Sequence, residues 1–191
     1  MTTSRRSILT PVLAALAASL LMAISAAVAQ EWVIEPTKQH EVLKKDVGTW
    51  DAVVKVWPME GAKPMESKGV EKNEMLKGGL WLTTRFEGEV IGTPFIGIGS
   101  FGYDPAEEKY VGAWVDTMTP HMMTTKSDYD EKTKTMTGIS ETRDPMTGEK
   151  YNAKMITRYN DDGTRVMEMH RAGKDGKESK VMEISYKRRA E

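Results

Sequence analysis

Alternation of apolar and polar residues dominates the chain from about residue 48 onward. Trp50, Ala52, Val54 and Val56 alternate with Thr49, Asp51, Val53 and Lys55, and near the other end Met182, Ile184 and Tyr186 alternate with Glu183, Ser185 and Lys187. A period of two marks strands with one face turned to a core. Turn signals break the pattern at short intervals, as P-M-E-G-A-K-P (58–64), K-G-G (77–79), I-G-T-P (91–94) and D-P-A-E-E-K (104–109). D-E-K-T-K (130–134), D-P-M-T-G-E (144–149), N-D-D-G-T (160–164) and G-K-D-G-K (173–177) continue the series. Proline presets φ, while glycine and aspartate tolerate the left-handed region. About ten strands joined by hairpin-sized loops predict an all-β fold, an antiparallel meander closing into a barrel or sandwich. One short N-terminal helix precedes the first strand, over P-T-K-Q-H-E-V-L-K-K-D (36–46). Thr37 is its expected cap and Val47-Gly48 its end, and the helix, with His40 in it, is expected to be exposed. Such a piece suits a lid or plug over a barrel end.

Residues before this helix follow another pattern. Arg5 and Arg6 precede a short apolar run, Pro11 to Ile24, and Ala27-Val28-Ala29 then offers a small-residue cleavage site. This is the arrangement of a removable signal peptide over 1–29, leaving one domain over 30–191. The run is short for a membrane anchor. S-R-R-S-I-L (4–9) also resembles a twin-arginine signal, so the Sec and twin-arginine routes both stand. The expectation is a soluble exported protein of the periplasm or extracellular space, with no membrane anchor after cleavage.

Composition narrows the chemistry. The chain has no cysteine, which removes thiolate zinc sites, haem attachment and a lipid-bearing cysteine. Its formal charge of −1 becomes −3 without Arg5 and Arg6, with the signs intermixed. That gives no footing for nucleic acid or an anionic membrane surface. Gly97, Gly99 and Gly102 match G-x-G-x-x-G, but Phe101, Tyr103 and Asp104-Pro105 follow where a nucleotide site needs a helix. The glycines read instead as places where a curved strand bends or another group approaches closely.

Several stretches resemble a known family. H-E-V-L-K-K-D-V-G-T-W (40–50), K-G-G-L-W-L (77–82) and G-T-P-F-I-G-I-G-S-F-G-Y-D (92–104) carry the likeness, with K-Y-V-G-A-W-V-D-T-M (109–118), D-P-M-T-G (144–148) and M-E-I-S-Y-K-R (182–188). Together they resemble a bacterial family catalogued as domain of unknown function 1579. G-T-W after a short helix also resembles the opening strand of the calycins, the lipocalins and fatty-acid-binding proteins. The resemblance implies a lipocalin-like barrel and no particular activity. It further implies structural parts for Trp50 and Arg188, a first-strand indole packed at the closed end against a late basic side chain. Such a cation–π contact is worth about 0.5–2 kcal/mol.

Candidate chemistry centres on K-Y-V-G-A-W-V-D-T-M. Alternation puts Tyr110, Gly112, Trp114, Asp116 and Met118 on one strand face. Turned inward, that face offers an aromatic floor, a carboxylate and a thioether, suited to a mostly apolar ligand with one polar handle. The alternative is that Trp114 is core and Asp116 an exposed or hydrogen-bonded strand residue; both faces are partly apolar, so periodicity does not choose. Trp81 and Arg85 share a face of an earlier strand and would add to such a pocket, although an arginine there is more often a surface residue. Methionine is abundant, at 14 residues, and clusters near histidine in M-T-P-H-M-M (118–123) and V-M-E-M-H (166–170). Thioether plus imidazole is a soft set that suits Cu(I). Met167 and Met169 nonetheless face away from His170 on a strand, so no metal site is assigned to that trio. Spacing shows no nucleophile–base constellation, although carboxylates such as Asp116 and Glu168 would meet if both faced inward.

The favoured reading is therefore a monomeric or weakly dimeric exported barrel that binds a small apolar ligand and needs no cofactor. Envelope copper binding through Met and His, an enzyme on a calycin-like barrel, and an interaction module with a filled barrel stand as alternatives. An enzyme is the less favoured.

Overall fold

The computed structural model describes residues 34–190, apart from 60, 91, 145, 146, 174 and 175. The expected signal peptide and its cleavage point lie outside the described residues. The order is a helix α1 (His40–Leu43), a 3₁₀ turn (Lys44–Asp46) and ten strands. These are β1 (Gly48–Val56), β2 (Met65–Met75), β3 (Trp81–Val90), β4 (Thr93–Asp104) and β5 (Lys109–Asp116), then β6 (Met123–Asp130), β7 (Thr135–Arg143), β8 (Lys150–Tyr159), β9 (Thr164–Ala172) and β10 (Glu178–Arg188). Each strand pairs antiparallel with its sequence neighbours, and β1 pairs with β10 to close the barrel. An up-and-down meander closes because every connection is a hairpin-sized turn, and closure leaves no unpaired edge.

The inward face follows from burial. Trp50, Ala52 and Val54 on β1, Leu82, Thr84 and Phe86 on β3, and Ile184 and Tyr186 on β10 are all buried. Their odd or even partners point outward. One apolar cluster unites Trp50, Ala52, Val54, Phe86, Ile184 and Tyr186, with Val56, Phe95, Trp114, Met167 and Met182 against it. A second joins Val42 and Leu43 of the helical segment to Leu82 and Tyr110. The helical segment is thus a plug, and polar bonds hold it. Tyr110 donates to the Gln39 carbonyl at 3.0 Å, Trp50 Nε1 and Asn73 Nδ2 donate to the Asp46 carbonyl at 2.8 and 2.9 Å, and Tyr159 donates to the Asp46 carboxylate at 2.9 Å.

His40 departs from the sequence expectation. It is buried rather than exposed, lying edge-on to Tyr103 with ring centroids 6.0 Å apart. Its Nδ1 accepts from the Thr37 amide at 3.0 Å and pairs with the Thr37 hydroxyl at 2.9 Å. Thr37 therefore engages an imidazole, and the helix cap position, Gln39, makes no side-chain cap bond. A helix this short sets its faces by contact with the barrel floor, and four residues carry too little periodicity to reveal that beforehand.

Behind the plug lies a charged floor. Arg165 bridges Asp46 and Glu71, and its guanidinium is sandwiched between the Trp50 ring at 4.5 Å and the Tyr186 ring at 4.1 Å. Burial pushes the Asp46 carboxyl up, against the pull of Arg165. Burial opposes the Arg165 charge too, but Asp46 and Glu71 hold it protonated. Arg188 lies against Trp50 at 4.1 Å and donates to the Val47 and Lys45 carbonyls, tying β10 to the end of the helical segment. Gly48 makes room for it. With φ at +120° it sits where side chains are strained, and an added Cβ would stand 2.8 Å from the Arg188 Nη1.

Candidate binding site

The plug closes the end where β1 begins, so any room inside the barrel lies towards the other end. Two features decide whether room exists there: where the large rings lie, and which inward side chains remain partly exposed.

The rings lie on the wall. Trp114 of β5 pairs with Gly99 of β4 and leans over Gly97 as well; a Cβ on Gly97 would fall 2.0 Å from the Trp114 Cζ2. Phe101 lies likewise over Gly112, with 2.3 Å to a hypothetical Cβ, and Phe86 over Gly69, with 2.2 Å. A ring occupying the volume of its neighbour's missing side chain paves the sheet instead of crossing the lumen. The glycines of F-I-G-I-G-S-F-G thus serve as seats for aromatic rings. Gly102 does the same on the outer face, under Trp81.

Among the inward side chains that keep partial exposure are Trp114, Met123, Tyr151, Met155, Met167, Met169 and Met182. Their inward sense follows from buried neighbours on the same faces: Ala153 on β8 and Arg165 on β9. Met155 pairs across strands with Met169, and Met169 with Met182, so thioethers form a continuous band over β8, β9 and β10. Above the band stands Arg171, opposite Ala153 and Ser179. Its guanidinium stacks on the Tyr151 ring at 4.0 Å and bonds Asp144 at 3.2 Å. An open depression of about 300 Å³ borders this rim, lined by Trp57, Met59, Arg171, Ser179 and Lys180 among others. A similar one of about 310 Å³ lies by Met122, Arg143 and Tyr151.

The residues singled out by sequence do not all meet here. Tyr110 and Trp114 do face inward from β5, but Tyr110 belongs to the plug end. Burial and the neighbouring Tyr103 push its phenol up to about 12, so it stays a neutral donor to Gln39. Asp116 is spent locally: one oxygen accepts the Met118 and Thr119 amides at 2.9 and 2.7 Å, the other the Trp114 Nε1 at 3.2 Å. It fixes the turn that ends β5 and holds the indole. Met118, past the end of the strand, is exposed on that turn. Trp81 and Arg85 are corrections. They oppose Gly102 and Ile98 on the outer face, where Arg85 pairs with Glu87, because Leu82, Thr84 and Phe86 take the inward positions of β3.

Glu168 also points outward, and so never meets Asp116. It accepts from Arg158 at 2.8 Å, Lys180 at 3.1 Å and His170 at 3.4 Å. The Arg158 bond above all, opposed by burial and assisted by Lys180 and His170, holds its pKa down to about 2. The three histidines sit far apart in the architecture: His40 in the plug, His121 in the β5–β6 turn, His170 on the outer face. Among the described residues no group of three His, Cys, Asp or Glu is placed to hold a metal ion.

Sequence reasoning did not assign Met155, Met182, Tyr151, Arg165 or Arg171 to any site. The signal for the thioether band was present in V-M-E-M-H, whose alternation put Met167 and Met169 on one face. What was missing was the face that turns inward, since both alternating sets of that strand mix apolar with charged residues.

The family described as "Protein of unknown function (DUF1579)" matches residues 35–188. Comparison with curated proteins finds no match. Among solved structures the chain is similar to a redesigned beta barrel, at 13% identity and a TM-score of 0.39, covering 82% of this chain and 100% of that one.

Proposed function

We propose a carrier role for this chain, which belongs to the DUF1579 family of proteins of unknown function: its lumen takes up one small, largely apolar molecule. The observation that carries the reading is the inner wall of the open half. Trp114 lies flat on Gly97 and Gly99, and Met155, Met167 and Met169 face the lumen while keeping partial exposure. Thioethers make an adaptable apolar surface, fit for a ligand of irregular shape. A barrel of ten strands encloses more than the eight-stranded kind, which already holds one small ligand. The polar handle for such a ligand is Arg171 at the mouth, since Asp116 is committed to its turn and to the indole.

Tryptophan emission tests this. Titrating the protein with fatty acids, retinoids and quinones is expected to shift the emission saturably for at least one class. Trp114→Phe is expected to remove most of that response while the barrel stays folded. Unchanged emission with all three classes, together with a Trp114→Phe variant altered only in stability, would overturn the carrier reading.

A further inference from the structure

We propose that Met155, Met169 and Met182 form a site for one soft monovalent metal ion, Cu(I) or Ag(I), on the inner wall. Met169 of β9 stands directly opposite Met155 of β8 on one side and Met182 of β10 on the other. Opposed residues on one face of an antiparallel pair have Cβ atoms about 4.5–5.5 Å apart. Methionine has three rotatable bonds, so the three sulfurs can converge on a point between the strands. The register of β9 and β10 shifts between Lys180 and Met182. Such irregularities re-aim side chains, and this one sets Met182 beside Met169 where an unbroken ladder would offer Val181.

The donor set selects the ion. Thioethers are soft, neutral ligands that favour Cu(I) over hard or borderline divalent cations. The inward neighbours of the trio are Ala153 and Thr157 on β8, Met167 and Arg171 on β9, and Ile184 on β10. None is a carboxylate or an imidazole. Glu168, next to Met169 in sequence, is bound on the outer face by His170, Arg158 and Lys180. The Arg171 charge above the site is paired with Asp144. A divalent cation therefore meets no anionic ligand here, whereas a monovalent soft ion needs none. The site is independent of the histidines in the two Met–His motifs, and it shares Met155 and Met169 with the lumen wall.

The test is an anaerobic titration of the purified protein with Ag(I), then with Cu(I) against a competing chelator. One equivalent is expected to bind, with quenching of Trp114, and Zn(II) is expected not to compete. Loss of an outer-shell partner alone weakens metal sites about ten- to a hundredfold. Each of Met155→Leu, Met169→Leu and Met182→Leu is accordingly expected to weaken binding at least about tenfold. His170→Asn and Met122→Leu are expected to leave it unchanged. As a check that needs no variant to fold, methionine-methyl NMR of the wild-type protein is expected to show Ag(I) shifting Met155, Met169 and Met182 but not Met59 or Met122. Absence of one-equivalent binding, leucine variants that bind like wild type, or shifts confined to Met59 and Met122 would each overturn the assignment.

Discussion

Trp114 owes its position to two residues that are not there. Gly97 and Gly99 leave the space its ring fills, and Asp116 takes its indole N–H. Gly97→Ala would put a methyl 2.0 Å from the ring and must displace it. Overpacking of this kind costs about 1–3 kcal/mol, so the variant should melt lower and show a changed tryptophan emission maximum. An unaltered spectrum would mean the ring is not seated on Gly97. Arg165 is the other decisive residue. Removing it leaves Asp46 and Glu71 buried without their cation, so Arg165→Ala is expected to lose about 3–5 kcal/mol in chemical denaturation. A loss under about 1 kcal/mol would show that the floor does not need the ion bridge. Neither residue announced its role. In T-R-V-M-E-M-H-R both alternating sets mix apolar with charged residues, so periodicity cannot tell which face turns inward. The same ambiguity put Arg85 and Trp81 beside the pocket, although Leu82, Thr84 and Phe86, in the alternate positions, take the core face.

Elements were more legible than faces. The eight turn signals fall at eight of the nine connections, all but the β5–β6 turn over 117–122, because hairpin turns are local structures set by local residues. Closure by β1 and β10 is a long-range pairing, and its reading leaned on the family likeness. The outer faces of β8, β9 and β10 are knit by the Glu168 cluster, which has a consequence in acid. Its folded pKa of about 2 lies below the ordinary 4.5, so its contribution is fully present above pH 4.5 and fades as pH falls towards 2. Wild type should therefore lose stability over that window more steeply than Glu168→Gln, as measured by denaturant midpoints at pH 5, 4 and 3. Parallel curves for the two proteins would show that the cluster contributes nothing.

At the scale of the whole molecule the barrel is asymmetric from end to end. One end is shut by a helical plug fastened through Tyr110, Asn73, Trp50 and Tyr159, with a charged floor behind it. The other carries thioethers, a wall-laid indole and an arginine at the rim. On the carrier proposal, a molecule enters from the end opposite the plug and stops at the charged floor. The most direct test is stoichiometric binding of an environment-sensitive apolar fluorophore to wild type and to Met169→Trp, whose larger ring projects into the lumen. Wild type is predicted to bind one equivalent, and Met169→Trp to melt cooperatively yet bind none. Equal binding by the two proteins would place the probe outside the barrel and contradict the account.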